Sequence, residues 1–130
     1  MAERIMFPEL LPDSTIAVLG AGNGGQAMAG FLALRGFGVN LWNRSGNKIN
    51  FLNRIGGIVL EGQVTGFAKP NLMTSDIGEA VRGAALIMVT VPASAHREVA
   101  AQMAPHLSDG QIIVLNPGRT GGALEFRQVL

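Results

Sequence analysis

The sequence predicts an α/β domain with a doubly wound, mainly parallel sheet. Two observations lead to this prediction: short apolar runs alternate with helical segments, and the first apolar run enters a helix through a glycine-rich turn. Strands that alternate with helices form parallel sheets with right-handed crossovers. The expected order of the parallel strands is 3-2-1-4-5, which is the Rossmann type, with a small β-hairpin inserted after strand 2.

The glycine-rich turn lies between a strand at residues 16–19 and a helix at residues 26–35, and it matches the pattern G-x-G-x-x-G. In such a turn the first glycine allows a tight bend, the second lets the backbone approach a pyrophosphate, and the third lets the helix pack closely on the strand. The pattern predicts a dinucleotide site at the helix start, against the alternative of a structural turn in an unrelated α/β domain. The residues expected to bind the cofactor here are Gly20, Gly22, Asn23, Gly24 and Gly25.

Periodicity places the next elements in order. The first helix has apolar residues at helical spacing on one face, namely Ala27, Gly30, Phe31 and Leu34. Glycines at positions 36 and 38 follow it and close the helix. A strand, a short helix and the hairpin are predicted at residues 39–42, 48–54 and 56–68.

Three strands and two helices complete the predicted fold. The strands are expected at residues 71–74, 86–91 and 111–115. Asp76 begins a helix that runs to about residue 82, and Glu79 lies three residues on, as in a capping box. Ser94 is expected to cap the next helix. The residues of that helix that align toward the core are Val99, Met103 and Leu107.

Composition and charge limit the functions open to the chain. Its 130 residues form one domain, in which 48% of residues are hydrophobic and 15% are charged. The net charge of +1 gives no electrostatic argument for nucleic acid or a membrane surface, and neither partner is expected. The absence of cysteine excludes disulfides, a thiol nucleophile and cysteine-based metal sites. The lack of cysteine fits the cytoplasmic location that we expect. No apolar run approaches the roughly 18 residues of a membrane span.

The two ends of the chain differ from its middle. Residues 1–14 carry charges and two prolines, which is unlike a signal peptide and predicts an irregular lead-in. Residues 15–130 form the predicted dinucleotide-binding domain. Residues 121–130 have a helical pattern that stops without a C-terminal signal, so the chain is expected to be a fragment that lacks a C-terminal substrate domain.

The end of strand 2 indicates which dinucleotide is bound. NAD sites usually place an acidic residue there to accept hydrogen bonds from the ribose 2′-OH. This chain instead has Asn43, Arg44 and Ser45. Asn43 carries no charge to repel a 2′-phosphate, Arg44 supplies a cation with a planar donor fork, and Ser45 adds a neutral donor. We therefore expect NADP to be preferred over NAD, the alternative being that Arg44 is a solvated loop residue.

Two other segments reach the crevice beyond the carboxyl ends of the strands, where this fold binds ligands. Val91 and Pro92 end strand 4 and are predicted to lie against the cofactor, unless they form an ordinary connection to the next helix. Asn116 and Gly118 follow strand 5, where a nicotinamide meets its substrate in such folds. His96 has no evident carboxylate partner in the sequence. No residue of this chain is predicted to be catalytic or to bind a metal.

Taken together, these motifs resemble those of the opine dehydrogenases, the octopine and nopaline dehydrogenase type. The resemblance covers nearly the whole chain from residue 15 onward. It is carried by the glycine turn, residues 57–62, residues 74–77 and the segments Asn116-Pro117-Gly118 and Gly121-Gly122-Ala123-Leu124-Glu125-Phe126.

The resemblance implies a reductive condensation as the activity of the whole protein. The amine of an amino acid and a 2-oxo acid form an imine, which NAD(P)H reduces. In that family a helical substrate domain with a catalytic histidine–aspartate pair follows the cofactor domain. The chain alone is therefore expected to bind cofactor without catalysing the reaction.

The glycine turn by itself fits other functions. Ketopantoate reductases and glycerol-3-phosphate dehydrogenases share it, and a non-catalytic nucleotide sensor is a third alternative. If the protein is a sensor, the 130 residues are expected to be the whole gene product. If it is a dehydrogenase, the reading frame is expected to continue past Leu130. Self-association to a homodimer is expected where apolar surface meant for a substrate domain is exposed.

Overall fold

The structure is a computed structural model that describes residues 14–62 and 65–115. Strands and α-helices alternate along these residues as the sequence predicts. They are β1 (Thr15–Leu19), α1 (Asn23–Leu34), β2 (Gly38–Trp42), α2 (Gly46–Ile55), β3 (Ile58–Leu60), β4 (Gly66–Ala68), β5 (Leu72–Thr74), α3 (Ile77–Val81), β6 (Leu86–Val89), α4 (His96–Met103) and β7 (Ile112–Leu115). Single 3₁₀ turns at Ala93–Ala95 and Ala104–His106 flank α4.

Five of these strands form a parallel sheet in the order β5-β2-β1-β6-β7. At its centre, Ile16 of β1 is in register with Val39 of β2 on one side and with Leu86 of β6 on the other. When the parallel strands alone are numbered, the order is 3-2-1-4-5, which confirms the prediction. The antiparallel hairpin of β3 and β4 lies between β2 and β5 in the chain, also as predicted.

Side chains alternate across the sheet and build one core on each face. From β1, Ala17 and Leu19 join the core under α3 and α4, whereas Ile16 and Val18 join the core under α1 and α2. Helices therefore cover both faces, which explains why the strands are almost wholly apolar. The domain is doubly wound, as the sequence predicts.

Of the four residues that the apolar pattern places on the core side of the first helix, Gly30 is the one that is buried. α1 begins at Asn23, three residues before the predicted start, and Ala27 and Leu34 are exposed. The residues that α1 buries are Gly25, Ala29 and Gly30. A Cβ on Gly30 would lie 2.9 Å from Leu60 of β3, so the small residues of the helix set this close approach.

The connection from β6 to α4 also differs from the prediction. β6 ends at Val89 rather than at residue 91, and the hydroxyl of Thr90 donates to the carbonyl oxygen of Gly20 in the glycine turn. Pro92, with its φ of −58°, starts a 3₁₀ turn before α4 begins at His96. Ser94, the predicted N-cap, lies inside that turn and caps neither helix. The predicted core residues of α4 that are buried are Val99 and Met103.

The capping box predicted at Asp76 is half formed. The Asp76 side chain accepts hydrogen bonds from the N–H groups of Gly78 and Glu79, and so caps α3 as predicted. The Glu79 carboxylate does not return this contact. It accepts a 2.7 Å hydrogen bond from the hydroxyl of Thr74 instead, which ties α3 to the end of β5.

Candidate functional site

The glycine turn brings β1 and α1 so close that only glycine fits at two of its positions. Gly20 has a φ of +123°, and a Cβ there would lie 2.7 Å from the hydroxyl oxygen of Thr90. A Cβ on Gly25 would lie 1.7 Å from the carbonyl oxygen of Gly20. The first and third glycines of the motif thus make the tight bend and the close helix packing that the pattern predicts.

The middle of the turn is open to solvent. Gly22, Asn23 and Gly24 are exposed, and a Cβ on either glycine would meet no atom within 4 Å. Gly22 is the N-cap of α1 without a side-chain cap, and the first turn of the helix has no acidic residue. The first N–H groups of a helix have no intrahelical partner and carry partial positive charge. The turn therefore presents donors in a space that a phosphate can enter.

Asn43 connects the end of β2 to this turn. Its Oδ1 accepts a hydrogen bond from the backbone N–H of Ala21 at 2.9 Å. Because a backbone N–H can only donate, the oxygen of the amide must be the end that faces Ala21. The other end of the amide, Nδ2, is a donor, and a donor complements the oxygens of a phosphate or a ribose.

A cleft of about 260 Å³ lies beyond the carboxyl ends of β2 and β6. The structure brings together here five residues predicted to bind the cofactor, Asn43, Arg44, Ser45, Val91 and Pro92. The other residues that line the cleft are Trp42, Ala95, Glu98, Val99 and Gln102. The bond between Asn43 and Ala21 links the lining of the cleft to the glycine turn, and the two together are the candidate site.

Glu98 of α4 is a charged residue of the cleft that the sequence analysis missed. Its Oε1 lies 2.5 Å from Nη1 of Arg44, which is 54 residues away in the chain. Both side chains are largely exposed, at 70% for Arg44 and 51% for Glu98. The signal that could have revealed Glu98 is its position in the first turn of the helix after strand 4, because that turn lies over the crevice.

His96 has a structural position in the fold. It is 2% exposed, and its Nε2 lies 3.2 Å from the carbonyl oxygen of Val91. The contact links the first residue of α4 to the connection that leaves β6. His96 is not among the residues that line the cleft.

Asn116 and Gly118 lie outside the described residues. Within residues 14–62 and 65–115, no three residues of the metal-binding types are grouped so that they could hold a metal ion. No helix in the same part of the chain is long and apolar enough to cross a membrane.

The fold and the glycine turn define a class: this is a Rossmann-type, dinucleotide-binding domain of the kind found in dehydrogenases. The family model described as the NAD-dependent glycerol-3-phosphate dehydrogenase N-terminus matches residues 15–117. The chain belongs to this family of N-terminal domains.

Known dehydrogenases and reductases resemble the chain. It is 48% identical over 122 residues to an opine dehydrogenase of Arthrobacter sp. (strain 1C), a match that covers 93% of this chain and 34% of that protein. A structure of octopine dehydrogenase with NADH and pyruvate has a TM-score of 0.79 and 26% identity, over 90% of this chain and 32% of the other. A PanE/ApbA family ketopantoate reductase from Ralstonia eutropha JMP134 has a TM-score of 0.78 and 26% identity, over 89% and 38%.

These matches confirm the resemblance to the N-terminal domain of opine dehydrogenases. The chain spans about a third of the length of the opine and octopine dehydrogenases that it matches.

Proposed function

We propose that this chain is the NADP(H)-binding domain of an opine-type dehydrogenase, which reduces the imine formed from an amino acid and a 2-oxo acid. The observation that carries the proposal is the 48% identity to an opine dehydrogenase over 93% of this chain. The similar octopine dehydrogenase structure contains NADH and pyruvate, which are a hydride donor and a 2-oxo acid. An oxidoreductase that acts on a CH–NH bond accounts for the similarity to the opine dehydrogenase and for the two ligands of the octopine dehydrogenase structure.

The glycine turn is proposed to bind the pyrophosphate. Gly22, Asn23 and Gly24 present the open backbone at the start of α1, and no carboxylate in the first turn opposes an anion there. Gly20 and Gly25 keep the strand and helix close enough for this turn to form. The bound dinucleotide supplies a hydride, whereas these residues bind and orient it.

The end of β2 is proposed to bind the adenosine ribose and to favour NADP. With Oδ1 of Asn43 held by Ala21, the amide offers Nδ2 to a ribose or phosphate oxygen. Arg44 offers a guanidinium, and Ser45 offers a hydroxyl, on the same wall of the cleft. None of these three groups repels a 2′-phosphate, which supports NADP as the preferred cofactor and NAD as the weaker one.

The opposite wall of the cleft is proposed to guide the cofactor toward its reacting end. Val91 and Pro92 line this wall and offer backbone and small apolar surface. Asn116 and Gly118, which follow β7 in the chain, are proposed to continue the site toward the nicotinamide.

The substrates are proposed to bind to a second domain of the whole protein. The resemblance to opine dehydrogenases implies that this domain carries the histidine–aspartate pair that handles protons. The described part of this chain supplies the cofactor cleft, and its buried His96 packs away from that cleft. We further propose that the whole protein is cytoplasmic, and that this chain by itself associates to a homodimer through apolar surface meant for the second domain.

A ketopantoate reductase-like enzyme is the second candidate, because such a reductase matches the fold with a TM-score of 0.78. The two candidates share the cofactor site and differ in the bond that is reduced. An opine-type enzyme reduces C=N after an amine has condensed with the oxo acid. A ketopantoate reductase-like enzyme reduces the C=O of the oxo acid directly.

Amine-dependent oxidation of NADPH separates these candidates. The protein, extended through any reading frame that follows Leu130, is mixed with NADPH, a 2-oxo acid and a panel of amino acids, and the absorbance of the reduced nicotinamide is followed. We expect oxidation only when the amine and the oxo acid are both present. Oxidation that no amine stimulates contradicts the opine proposal. A reading frame that ends at Leu130, with cofactor binding and no oxidation, favours a nucleotide sensor instead.

A further inference from the structure

We infer that Glu98 sets the selectivity of this site between NADPH and NADH by competing with the 2′-phosphate for Arg44. The inference rests on the proposed function, because it requires the dinucleotide to bind in the cleft. Arg44 is then not free to bind a phosphate. It is paired with Glu98, and a phosphate must separate the two side chains to bind the guanidinium.

The cleft is lined by few charged residues. Of the ten residues that line it, Arg44 and Glu98 are the two that carry charge, and they are in direct contact. The charge of the described cleft walls is therefore balanced, and the attraction expected from Arg44 alone is cancelled at short range. Without its partner, Arg44 would leave the same cleft with a single positive charge.

Glu98 is held by α4 at one side of the cleft. It lies in the first turn of α4, where the helix dipole favours a carboxylate, and its neighbour Val99 is buried in the core. α4 therefore holds the Glu98 backbone in a fixed place on one side of the cleft. Arg44 reaches it from the loop between β2 and α2, on the other side.

NADPH and NADH differ in the group at the 2′ position of the adenosine ribose. A 2′-phosphate carries a charge of about −1.5 to −2 and needs the guanidinium as its partner. The phosphate must displace the Glu98 carboxylate or share the guanidinium with it. If they share it, the phosphate and the carboxylate lie close together and repel each other. NADH has a ribose hydroxyl at the same position, which can donate to a carboxylate. Glu98 therefore penalises NADPH and leaves NADH unpenalised.

The size of the effect follows from the exposure of the pair. Arg44 and Glu98 are both largely exposed, so water screens their interaction and the pair is weak. A weak pair biases the choice of cofactor without blocking NADPH. We expect removal of the Glu98 charge to raise NADPH affinity relative to NADH affinity by about two- to five-fold.

The test compares Glu98→Gln with the parent protein in direct titrations of NADPH and of NADH by calorimetry. The ratio of NADPH to NADH affinity is expected to rise by about two- to five-fold. Asp109→Asn is the matched control, since it removes the same charge from an exposed turn before β7, at the opposite edge of the sheet. A ratio that is unchanged in Glu98→Gln, or that shifts equally in Asp109→Asn, overturns the inference.

A second comparison tests the competition itself. In an Arg44→Ala background, Glu98→Gln is expected to change NADPH affinity by less than about two-fold, because there is no guanidinium left to release. An undiminished effect in that background overturns competition for Arg44. If the parent protein binds neither cofactor, the proposed function and this inference both fail. If it binds both and the ratio does not respond to Glu98→Gln, only the inference fails.

Discussion

The side-chain oxygen of Asn43 accepts a hydrogen bond from the backbone N–H of Ala21, 2.9 Å away. The bond joins the end of β2 to the turn between β1 and α1. Ala21 is fully buried, so water is not at hand to replace a lost acceptor. One side chain therefore keeps the glycine turn and the end of β2 in a fixed relation.

Replacing Asn43 by alanine is expected to lower the free energy of unfolding by about 1–3 kcal/mol, because the buried N–H of Ala21 loses its acceptor. Asn43→Asp keeps an oxygen in the same place and is the matched control, with a smaller expected loss. Urea unfolding of the two variants and the parent measures the difference. Equal stability losses in both variants contradict a role for the acceptor.

The third glycine of the turn gives a sharper stability prediction. A Cβ on Gly25 would lie 1.7 Å from the backbone oxygen of Gly20, which cannot move without shifting β1. Gly25→Ala is therefore expected to lower the free energy of unfolding by about 3 kcal/mol or more.

Gly24→Ala is the control for this variant. It adds the same methyl group one residue earlier, in open space on the same helix. Its stability is expected to stay within about 0.5 kcal/mol of the parent. Urea midpoints for both variants decide the matter, and similar losses at the two positions contradict the packing role of Gly25.

The fold and half of the site follow from local sequence signals. Alternating strands and helices determine the order of the parallel strands, and the rule that ligands bind beyond their carboxyl ends selects the residues that follow β2 and β6. In the structure Asn43, Arg44, Val91 and Pro92 line one cleft, as this rule predicts. These positions are predictable because the order of the parallel strands places them beyond the carboxyl ends, even though β6 ends two residues earlier than its apolar run predicts.

Features that depend on packing between distant segments could not be predicted in the same way. The buried face of α1 is set by the close approach of Gly25 and Gly30 to other segments, and the apolar pattern included Gly30 but neither Gly25 nor Ala29. The pair between Arg44 and Glu98 spans 54 residues and depends on how two side chains extend over the cleft. The cofactor roles of Asn116 and Gly118 stay predictions.

Thr90 fills the space beside the first glycine, and its hydroxyl is expected to stabilise the turn. Its Oγ1 lies 3.0 Å from the carbonyl oxygens of both Leu19 and Gly20. Thr90→Val keeps the shape and removes the donor, so the free energy of unfolding is expected to fall by about 0.5–1.5 kcal/mol. Thr90→Ser retains the hydroxyl and serves as the control in thermal unfolding. A valine variant as stable as the parent contradicts a stabilising hydrogen bond.

Trp42 is expected to report the entry of a dinucleotide into the cleft. It is the single tryptophan of a chain without tyrosine, so the intrinsic emission above the phenylalanine range comes from this residue. It lines the cleft, is 2% exposed, and its Nε1 donates to the carbonyl oxygen of Ser75 at 3.1 Å. Titration with NADPH is expected to quench this emission to a saturating level. Quenching that grows linearly without saturation contradicts binding in this cleft.

Arg44→Ala tests the proposed preference for NADP. A charge-assisted hydrogen bond to a 2′-phosphate contributes about 1.5–3 kcal/mol, and the competing contact with Glu98 offsets part of it. The expected result is therefore near the lower end, a loss of about ten-fold in NADPH affinity with NADH affinity changed by less than about two-fold. Arg44→Lys keeps the charge without the planar fork, so its NADPH affinity is expected to lie between those of the parent and of Arg44→Ala. Calorimetric titration of both reduced cofactors into the three proteins gives the comparison. If all three proteins bind NADPH with the same affinity, Arg44 does not contact a 2′-phosphate. The end of β2 then gives no preference for NADP over NAD.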